Sequence, residues 1–369
     1  MEDITEMLRD SAAGFLAGRY DLAKLRGQIG QPRVLDRALW REMGALGWLG
    51  LGLPEPIGGS GMGLREASVL AEQFGRSAFV APYVATSVMP SALLAHAASS
   101  PQAADLAASL QNGDKVLSLA WQEQIDELDA GLPSARLTAG RISGRKIFVP
   151  AADSADLLLV SVVADGGVAV VVVAADAEGL TRNDQAAGLG TASTLEFSNV
   201  PILGGAALLV GAPALAALQA ALDAGRVALA AQLQGLAAGL LDRTLDYVKV
   251  RVQFARPIGS FQAIQHRCVD LFIAIQLAGA SWRHALNQLE RGDGIAAVSA
   301  AKARCADVAQ RCGREAIQMH GAMGFTEEVD VGLYVRAALH GYGWLGSPLH
   351  HRRRFLRLQN AAQLEIFNV

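Results

Sequence analysis

Two changes in the spacing of apolar residues divide the chain into three zones and limit what it can fold into. In the first zone apolar residues recur at the three- and four-residue intervals of a helix. In the second zone the apolar runs are short, and Gly, Asp and Pro separate them. Long alanine- and leucine-rich stretches then restore the helical interval. This order predicts three domains, with boundaries at 1–114, 115–209 and 210–369.

The middle zone predicts a small antiparallel, barrel-like β domain. No helix-length amphipathic segment separates its apolar runs, which argues against a βαβ array. Asp165-Gly166-Gly167 is a hairpin signal between two of these runs. The predicted strands are Val116–Trp121, Ala135–Leu137, Lys146–Val149, Leu157–Val163, Val168–Ala174 and Thr194–Phe197.

The last zone predicts a four-helix bundle. Ala214–Val250, Phe261–Glu290 and Gly294–His320 are three long helical stretches with short links, and the tail would supply a fourth. The whole chain is therefore expected to have an α+β multidomain fold, with an all-α domain, a β domain and a helical bundle in that order.

Composition excludes several classes of function. The net charge is −3, and no basic cluster with interleaved aromatic residues occurs, so no nucleic-acid partner is expected. The three cysteines, Cys268, Cys305 and Cys312, form no CxxC pair, and no metal site is expected. Scattered cysteines indicate reduced thiols and a cytoplasmic protein. The longest apolar runs of the middle zone are too short for a membrane span.

Three motifs carry a resemblance to a known family. Arg251–His266 follows the pattern R-x-x-F-G-x-x-I-x-x-F-Q-x-x-Q and departs from it only at Ala255. Gln318–Glu328 resembles Q-x-x-G-G-x-G-[FY]-x-x-E, with Ala322 in place of the second glycine. Ile142–Val149 resembles the strand G-x-K-x-W-I-T. In this order and at this spacing the motifs resemble the acyl-CoA dehydrogenase family, and the chain is identified as a member.

The resemblance implies an FAD site at a subunit interface, shared by the β domain of one subunit and the C-terminal helices of its neighbour. Arg251 corresponds to the arginine at the pyrophosphate, where a guanidinium fork suits paired oxygens. Without the resemblance, a solvated arginine and helix-capping glycines would explain the same residues. The residues assigned to FAD in the C-terminal motifs are Arg251, Phe254, Gln262, Gln318, Gly321 and Gly324.

The half of the FAD site in the β domain departs from the family pattern. The family loop T-E-P-x-x-G-S-D corresponds to Trp121–Glu127, which retains only Glu123. Phe148 stands where the family has a tryptophan, and it could stack on the flavin or pack as a core residue. Pro150 stands where the family has a threonine, and it has no hydrogen-bond donor. Glu123 and Phe148 are the cofactor-binding candidates on this side.

Neither family position for the catalytic base holds a carboxylate. The reaction needs a carboxylate to remove the α-proton of the acyl group. The usual position, in the segment that corresponds to Y-E-G-T, is Leu345, and the alternative position in the preceding long helix is Gly225. Asp223 is a weak substitute because it lies on a different face of that helix.

Three hypotheses for function remain open. The chain could be a self-sufficient homotetrameric FAD-dependent acyl-CoA dehydrogenase with an unconventional base. It could be the non-catalytic partner in a heterotetramer with a paralogous chain, as in dehydrogenases of steroid-side-chain thioesters. It could also be a flavin-free scaffold of the same fold. The resemblance implies an acyl-CoA substrate and electron-transfer flavoprotein as the acceptor.

The size of the acyl group is a separate question. Gly225, Ala228 and Gly235 lie along one predicted helix face. Small residues there would leave room for a bulky acyl group, or they would allow two helices to pack closely.

Overall fold

The computed structural model of the chain describes residues 2–27, 29, 35–79, 81–187 and 189–367. The chain forms two compact units. The first unit contains residues 1–30, 68–80 and 226–369, and the second contains residues 31–67 and 81–225. Each unit is therefore assembled from segments that are far apart in the sequence.

Helices make up the N-terminal zone, as the periodicity predicts. They are α1 (Glu2–Arg19), α2 (Leu22–Gly27), α3 (Arg37–Ala45), α4 (Leu64–Arg76), α5 (Met89–Ala95) and α6 (Pro101–Gln111). Asp36 begins α3 because its carboxylate accepts hydrogen bonds from the amides of Ala38 and Leu39, at 3.1 and 3.0 Å. A five-residue π-helix, Val84–Val88, leads directly into α5.

The middle zone is an eight-stranded sheet in the second unit. Its strands are β1 (Leu117–Ala120), β2 (Arg136–Thr138), β3 (Arg141–Pro150), β4 (Leu157–Ala164), β5 (Gly167–Ala174), β6 (Leu180–Ala187), β7 (Gly190–Pro201) and β8 (Leu209–Val210). The hairpin predicted at Asp165-Gly166 is present: Ala164 pairs with Gly167, and both turn residues have positive φ angles. Buried aliphatic side chains of β4 and β5 supply much of the core.

The sheet is mostly antiparallel, as predicted, but it is open, so the predicted barrel-like form describes it only loosely. Its order is β6-β7-β3-β2-β4-β5-β8, with β1 beside β4, and the edge strands β6 and β8 do not pair within the described residues, so it is open. Two pairings, β1 with β4 and β2 with β4, are parallel. A long segment joins β1 to β2 where a tight turn would have made them antiparallel neighbours.

The C-terminal zone is helical, as predicted. It contains α7 (Ala212–Val250), α8 (Gln262–Glu290), α9 (Ile295–His320), α10 (Val331–Gly343) and α11 (Pro348–Phe367). Helices α8, α10 and α11 all pack against α9. The tail supplies two helices where one was predicted, because Gly346 and Pro348 interrupt it.

Helix α7 is the only described helix that is long and apolar enough to cross a membrane by length and composition. However, 78% of its most apolar window is buried inside the protein. Burial of this kind is typical of a core helix.

In the first unit α4 and α7 cross at very short distance. A Cβ atom on Gly235 would lie 1.9 Å from the carbonyl oxygen of Glu72, and one on Gly75 would lie 2.0 Å from that of Gln232. Both positions therefore require glycine for helix packing. Helix packing therefore explains why residue 235 is glycine, and the contact leaves no space for a bulky ligand at this position.

Helix α8 has two apolar faces. One face, which includes Leu271, Ile275 and Trp282, is buried. The other carries four large apolar side chains that are about half exposed. These residues, called the α8 stripe below, are Val269, Phe272, Ile273 and Leu277. Spacings of three and four residues place them on a single face of the helix.

Candidate functional site

The six FAD-binding candidates of the C-terminal motifs all lie in the first unit, near three helix ends. Arg251 follows the last residue of α7, Gln262 begins α8, and Gln318 lies in the last turn of α9. Between α7 and α8 runs a hairpin of two short strands, β9 (Val252–Gln253) and β10 (Arg256–Pro257).

A tight turn shapes this hairpin. Its two central residues, Phe254 and Ala255, have φ angles of 53° and 62°. Two successive left-handed residues give the turn type whose twist matches paired strands. Ala255 thus adopts the backbone conformation for which the family motif uses glycine. The hairpin closes where the Ile258 amide donates to the Arg251 carbonyl at 2.8 Å.

The ends of α7 and α9 are held together by an aromatic contact. The rings of Tyr247 and His320 stack with centroids 4.2 Å apart, and the Tyr247 hydroxyl donates to the His320 carbonyl at 3.3 Å. Nearby, the sulfur atoms of Cys268 on α8 and Met319 on α9 are 3.8 Å apart. These contacts bring the Arg251 hairpin and the Gln318–Gly324 segment to the same end of the unit.

Most of the candidate side chains at this end are exposed. Phe254 is 88% exposed, and Arg251, Gln262 and Gln318 are also exposed. Within the described part of the chain the Arg251 guanidinium makes no hydrogen bond or ion pair. By contrast, the guanidinium of Arg256 in the same hairpin lies 4.1 Å from the ring centroid of Phe261. The Arg251 guanidinium is therefore available to bind an anion.

The two glycines of the second motif have different roles. Gly321 ends α9 with φ 62° and ψ −138°, a conformation open only to glycine, and a Cβ there would meet no atom within 4 Å. Its backbone is thus open to a ligand. A Cβ on Gly324 would lie 2.9 Å from the Cα of Ile317, so packing against α9 is sufficient to explain that glycine.

Phe148 lies at a β-bulge in the second unit. The pairing of β3 with β7 shifts register between Lys146 and Val149, and Phe148 has a φ of 52°. Bulges often redirect side chains beside active sites. The Phe148 ring is 41% exposed and can therefore present a face to a ligand.

The carboxylate of Glu123 is fully occupied inside the β domain. One oxygen accepts from the Lys146 ammonium at 2.7 Å and from the Ala135 amide at 3.0 Å, and the other accepts from the amide and hydroxyl of Ser134. Burial alone would raise the pKa of Glu123, but the bonds from Lys146 and Ser134 outweigh it and lower that pKa to about 2. These contacts indicate a structural ion pair.

No carboxylate stands at either expected base position. Leu345 is buried in the segment between α10 and α11, and Gly225 is buried within α7. Asp223 is also buried, and one of its oxygens accepts from the Gln219 side-chain amide at 2.8 Å. The carbonyl oxygen of that amide accepts from the Ala130 amide at 3.1 Å. Asp223 thus belongs to a structural hydrogen-bond chain.

Two residues around the Leu345 segment were not anticipated from the sequence. Lys302 on α9 and His351 on α11 are fully buried, and both bind main-chain carbonyl groups of the segment. Among the residues described, no group of three or more His, Cys, Asp or Glu could hold a metal ion.

Comparison with known proteins gives consistent matches over the chain. Residues 2–114 match the family model "Acyl-CoA dehydrogenase, N-terminal domain", and residues 215–355 match "Acyl-CoA dehydrogenase, C-terminal domain". Acyl-CoA dehydrogenase IpdE2 of Mycobacterium tuberculosis is 29% identical over 95% of both chains.

Two solved structures are similar over nearly the whole length. A variant of the Tcur3481–Tcur3483 steroid ACAD has a TM-score of 0.88 and 30% identity, over 98% of this chain and 99% of that one. The ChsE4–ChsE5 complex from Mycobacterium tuberculosis has a TM-score of 0.85 and 25% identity, over 96% of both chains.

Proposed function

Because the chain belongs to the acyl-CoA dehydrogenase family, we propose that it is one subunit of an enzyme that dehydrogenates an acyl-CoA thioester between its α and β carbons. In this proposal the subunit shares FAD with a neighbouring chain. FAD, when bound, would supply the hydride acceptor, which is chemistry that side chains lack.

The observation that carries the proposal is the difference between the two half-sites. Arg251 would bind the pyrophosphate with a guanidinium that has no other partner among the described residues. Phe254 and Gln262 would line the adenosine, and the Gly321 backbone would allow close approach. Of the two candidates on the β-domain side, the Phe148 ring is available, whereas the Glu123 carboxylate is already bound by Lys146, Ser134 and Ala135. A chain whose C-terminal half-site has most of its expected ligands, and whose β-domain half-site lacks them, is expected where FAD is held across an interface with a second chain.

The missing base extends the same argument. Removal of the α-proton needs an ionised carboxylate beside the α-carbon. Leu345 and Gly225 have no proton acceptor, and the Asp223 carboxylate is engaged by Gln219. We therefore propose that a paralogous chain supplies the carboxylate, and that this chain is the non-catalytic partner in a heterotetramer.

Two further observations support a heteromeric assembly. Both similar structures carry two protein names, Tcur3481–Tcur3483 and ChsE4–ChsE5, and the first is called a steroid ACAD. The α8 stripe is a half-exposed apolar surface of the kind that subunits cover. A cytoplasmic location and electron-transfer flavoprotein as acceptor complete the proposal.

The steroid-side-chain substrate class is proposed from these similar proteins alone. Helix packing accounts for Gly235, so the small residues of α7 add no support for a bulky acyl group. A panel of short, long and ring-bearing acyl-CoA thioesters, scored by flavin bleaching of the complex, tests the substrate class. Bleaching by short chains only would exclude it.

The first experiment is the flavin-to-protein ratio of the chain purified alone and after co-expression with a paralogue. We expect little flavin in the chain alone and bound flavin in the co-purified complex. Near one flavin per chain, bleached by an acyl-CoA, would instead indicate a self-sufficient homotetramer. No flavin in either preparation would indicate the flavin-free scaffold.

Substitution of Arg251 tests the half-site directly. We expect Arg251→Met to reduce flavin retention in the complex by at least about tenfold, because a charge-assisted pair with phosphate is lost. The matched control is Arg311→Met on α9, an exposed arginine whose nearest carboxylate, Asp270, is 3.9 Å away. Equal flavin content in both variants would contradict the role given to Arg251.

A further inference from the structure

The four-residue segment Trp344–Ser347, called the 344 loop below, holds a leucine in a left-handed backbone conformation. Leu345 has a φ of 56°, is 7% exposed and precedes Gly346, whose φ is 107°. Residues other than glycine rarely adopt this backbone conformation, because their Cβ atom then crowds the main chain. It persists where surrounding groups hold it.

Lys302 is the first of these groups. Its side chain is fully enclosed, and its Nζ donates to the carbonyl oxygens of Gly341, Tyr342 and Gly346 at 2.9, 3.3 and 3.1 Å. An ammonium has three donors, and here each has a carbonyl acceptor. One side chain therefore joins the last turn of α10 to the 344 loop.

His351 is the second group, and it binds Leu345 itself. Its Nε2 lies 2.9 Å from the Leu345 carbonyl oxygen, and its side chain is fully buried. A carbonyl can only accept, so Nε2 carries the proton and the neutral ring keeps its lone pair on Nδ1. Within the described residues that buried Nδ1 has no partner. The Nε2-protonated tautomer of His351 thus holds the carbonyl group of Leu345 in place.

The surroundings of this pair are cationic. Burial first, then the charges of Lys302, Arg226 and Arg354, keep the pKa of His351 well below its usual range. Burial, together with the charge of Arg226, lowers the pKa of Lys302 to about 7, although Cys305 and Asp307 oppose this shift.

We propose that Lys302 and His351 are positioning residues that hold the 344 loop in one conformation. In this conformation position 345 could carry a proton-abstracting carboxylate, although leucine occupies it in this chain. The part of this proposal that concerns proton abstraction rests on the proposed function. The part that concerns the loop rests only on the contacts above.

Amide hydrogen exchange of the chain alone tests the loop. We expect Lys302→Met to speed exchange at residues 343–347 by at least about tenfold relative to wild type, while exchange in α8 stays unchanged. Lys249→Met, at an exposed lysine near the end of α7, is the control and should have no effect. Unchanged exchange in the loop, or equal acceleration throughout the first unit, would overturn the proposal.

Two substitutions of His351 keep the test valid where Lys302→Met does not fold. Glutamine can donate from its side-chain amide to the Leu345 carbonyl, whereas leucine cannot. We expect His351→Gln to retain slow exchange in the loop and His351→Leu to lose it. Identical exchange in the two variants would count against a positioning role. Neither measurement needs flavin or a partner, so its outcome is independent of the proposed function.

The Leu345→Glu variant tests the functional part. A carboxylate at position 345 would remove the α-proton of an acyl-CoA: the C–H bond breaks, an O–H bond forms, and the electron pair moves onto the thioester carbonyl. In D₂O the reverse step returns a deuteron, so the α-hydrogen exchanges without an oxidant. All variants are measured in complex with a paralogue whose own base glutamate is replaced by glutamine. The background rate of α-hydrogen exchange is that of the wild-type chain in this complex.

We expect Leu345→Glu in that complex to raise α-hydrogen exchange at least about tenfold above background. Addition of Lys302→Met should remove the gain while the complex still binds acyl-CoA. No gain in Leu345→Glu, or an equal gain in the double variant, would overturn the proposal. A complex that contains no flavin would contradict the proposed function and would leave the hydrogen-exchange result on the loop intact.

Discussion

The ammonium of Lys146 lies wholly inside the β domain, 2.7 Å from a carboxylate oxygen of Glu123. It also donates to the Ser161 hydroxyl at 2.8 Å. A buried ion pair is costly to break from one side, because the remaining charge stays out of water without its counter-charge. We expect Lys146→Met to lower the free energy of unfolding by about 3 kcal/mol, measured by urea denaturation.

Two controls separate the ion pair from the strand that carries it. Arg145 precedes Lys146 on β3 and is largely exposed, so Arg145→Met should change stability by less than about 0.5 kcal/mol. Glu123→Gln combined with Lys146→Met removes both charges and should cost less than Lys146→Met alone. A double variant that is as unstable as the sum of the two single variants would show that the charges are not coupled.

Protonation of His351 links stability to pH. Burial, followed by the charges of Lys302, Arg226 and Arg354, lowers its pKa from 6.5 to about 2. Between these values the unfolded chain binds a proton that the folded chain does not. Stability from this group is therefore complete above pH 6.5 and falls as the pH drops, by up to about 1.4 kcal/mol per pH unit.

The variant His351→Gln removes that proton uptake. We expect its free energy of unfolding to fall less steeply than that of wild type between about pH 6 and 4, by the equivalent of one proton. Urea denaturation at several pH values measures the two slopes. Parallel slopes would mean that His351 titrates alike in the folded and unfolded chains.

At the scale of secondary-structure elements, α4 and α7 pack so closely that neither Gly75 nor Gly235 can accept a side chain without moving the helices apart. The Cβ added by Gly235→Ala would meet the Glu72 carbonyl oxygen at 1.9 Å, so the helices would have to separate. We expect a loss of about 1–3 kcal/mol in thermal or urea unfolding. Gly14→Ala on α1, where a Cβ meets nothing within 4 Å, should instead stabilise the chain by about 0.5–1 kcal/mol. Equal effects of the two substitutions would refute the close contact.

Secondary-structure elements were predicted correctly where burial of one face leaves a periodic pattern of apolar residues. They were missed where the sequence has no such pattern. Apolar periodicity located α7, α8 and α9 to within a few residues. It missed β6, Leu180–Ala187, because this edge strand is largely polar and its residues 181–186 are solvent-exposed. It also could not predict the parallel pairings of β4, which depend on contacts between distant segments.

The candidate site shows the same division. The motifs indicated Arg251 and Leu345, which remain predictions, but gave no indication of Lys302. A lysine in an alanine-rich helix is ordinarily solvated. The available signal was its position: Val298, Lys302, Cys305 and Ala309 recur at helical spacing on one buried face of α9.

At the scale of the whole molecule, the α8 stripe is the surface from which we predict assembly. Phe272 lies in its middle and is 55% exposed. Phe272→Asp would place a charge in any interface formed there, and we expect it to weaken subunit association by at least about tenfold in sedimentation velocity of the co-purified complex. Gln359→Asp, exposed on α11 and away from the stripe in sequence, is the matched control. Unchanged sedimentation of both variants would exclude the stripe as an interface.

The discontinuous first unit has a consequence for synthesis of the chain. Its α4 segment ends at residue 80, and the α7 segment that packs on it begins at residue 226. At ~5–20 residues per second, a ribosome needs roughly 7–30 s to make the intervening chain. During that interval Gly75 and its apolar neighbours on α4 have no α7 to bind. Nascent chains are therefore expected to depend on chaperones until the C-terminal third has emerged.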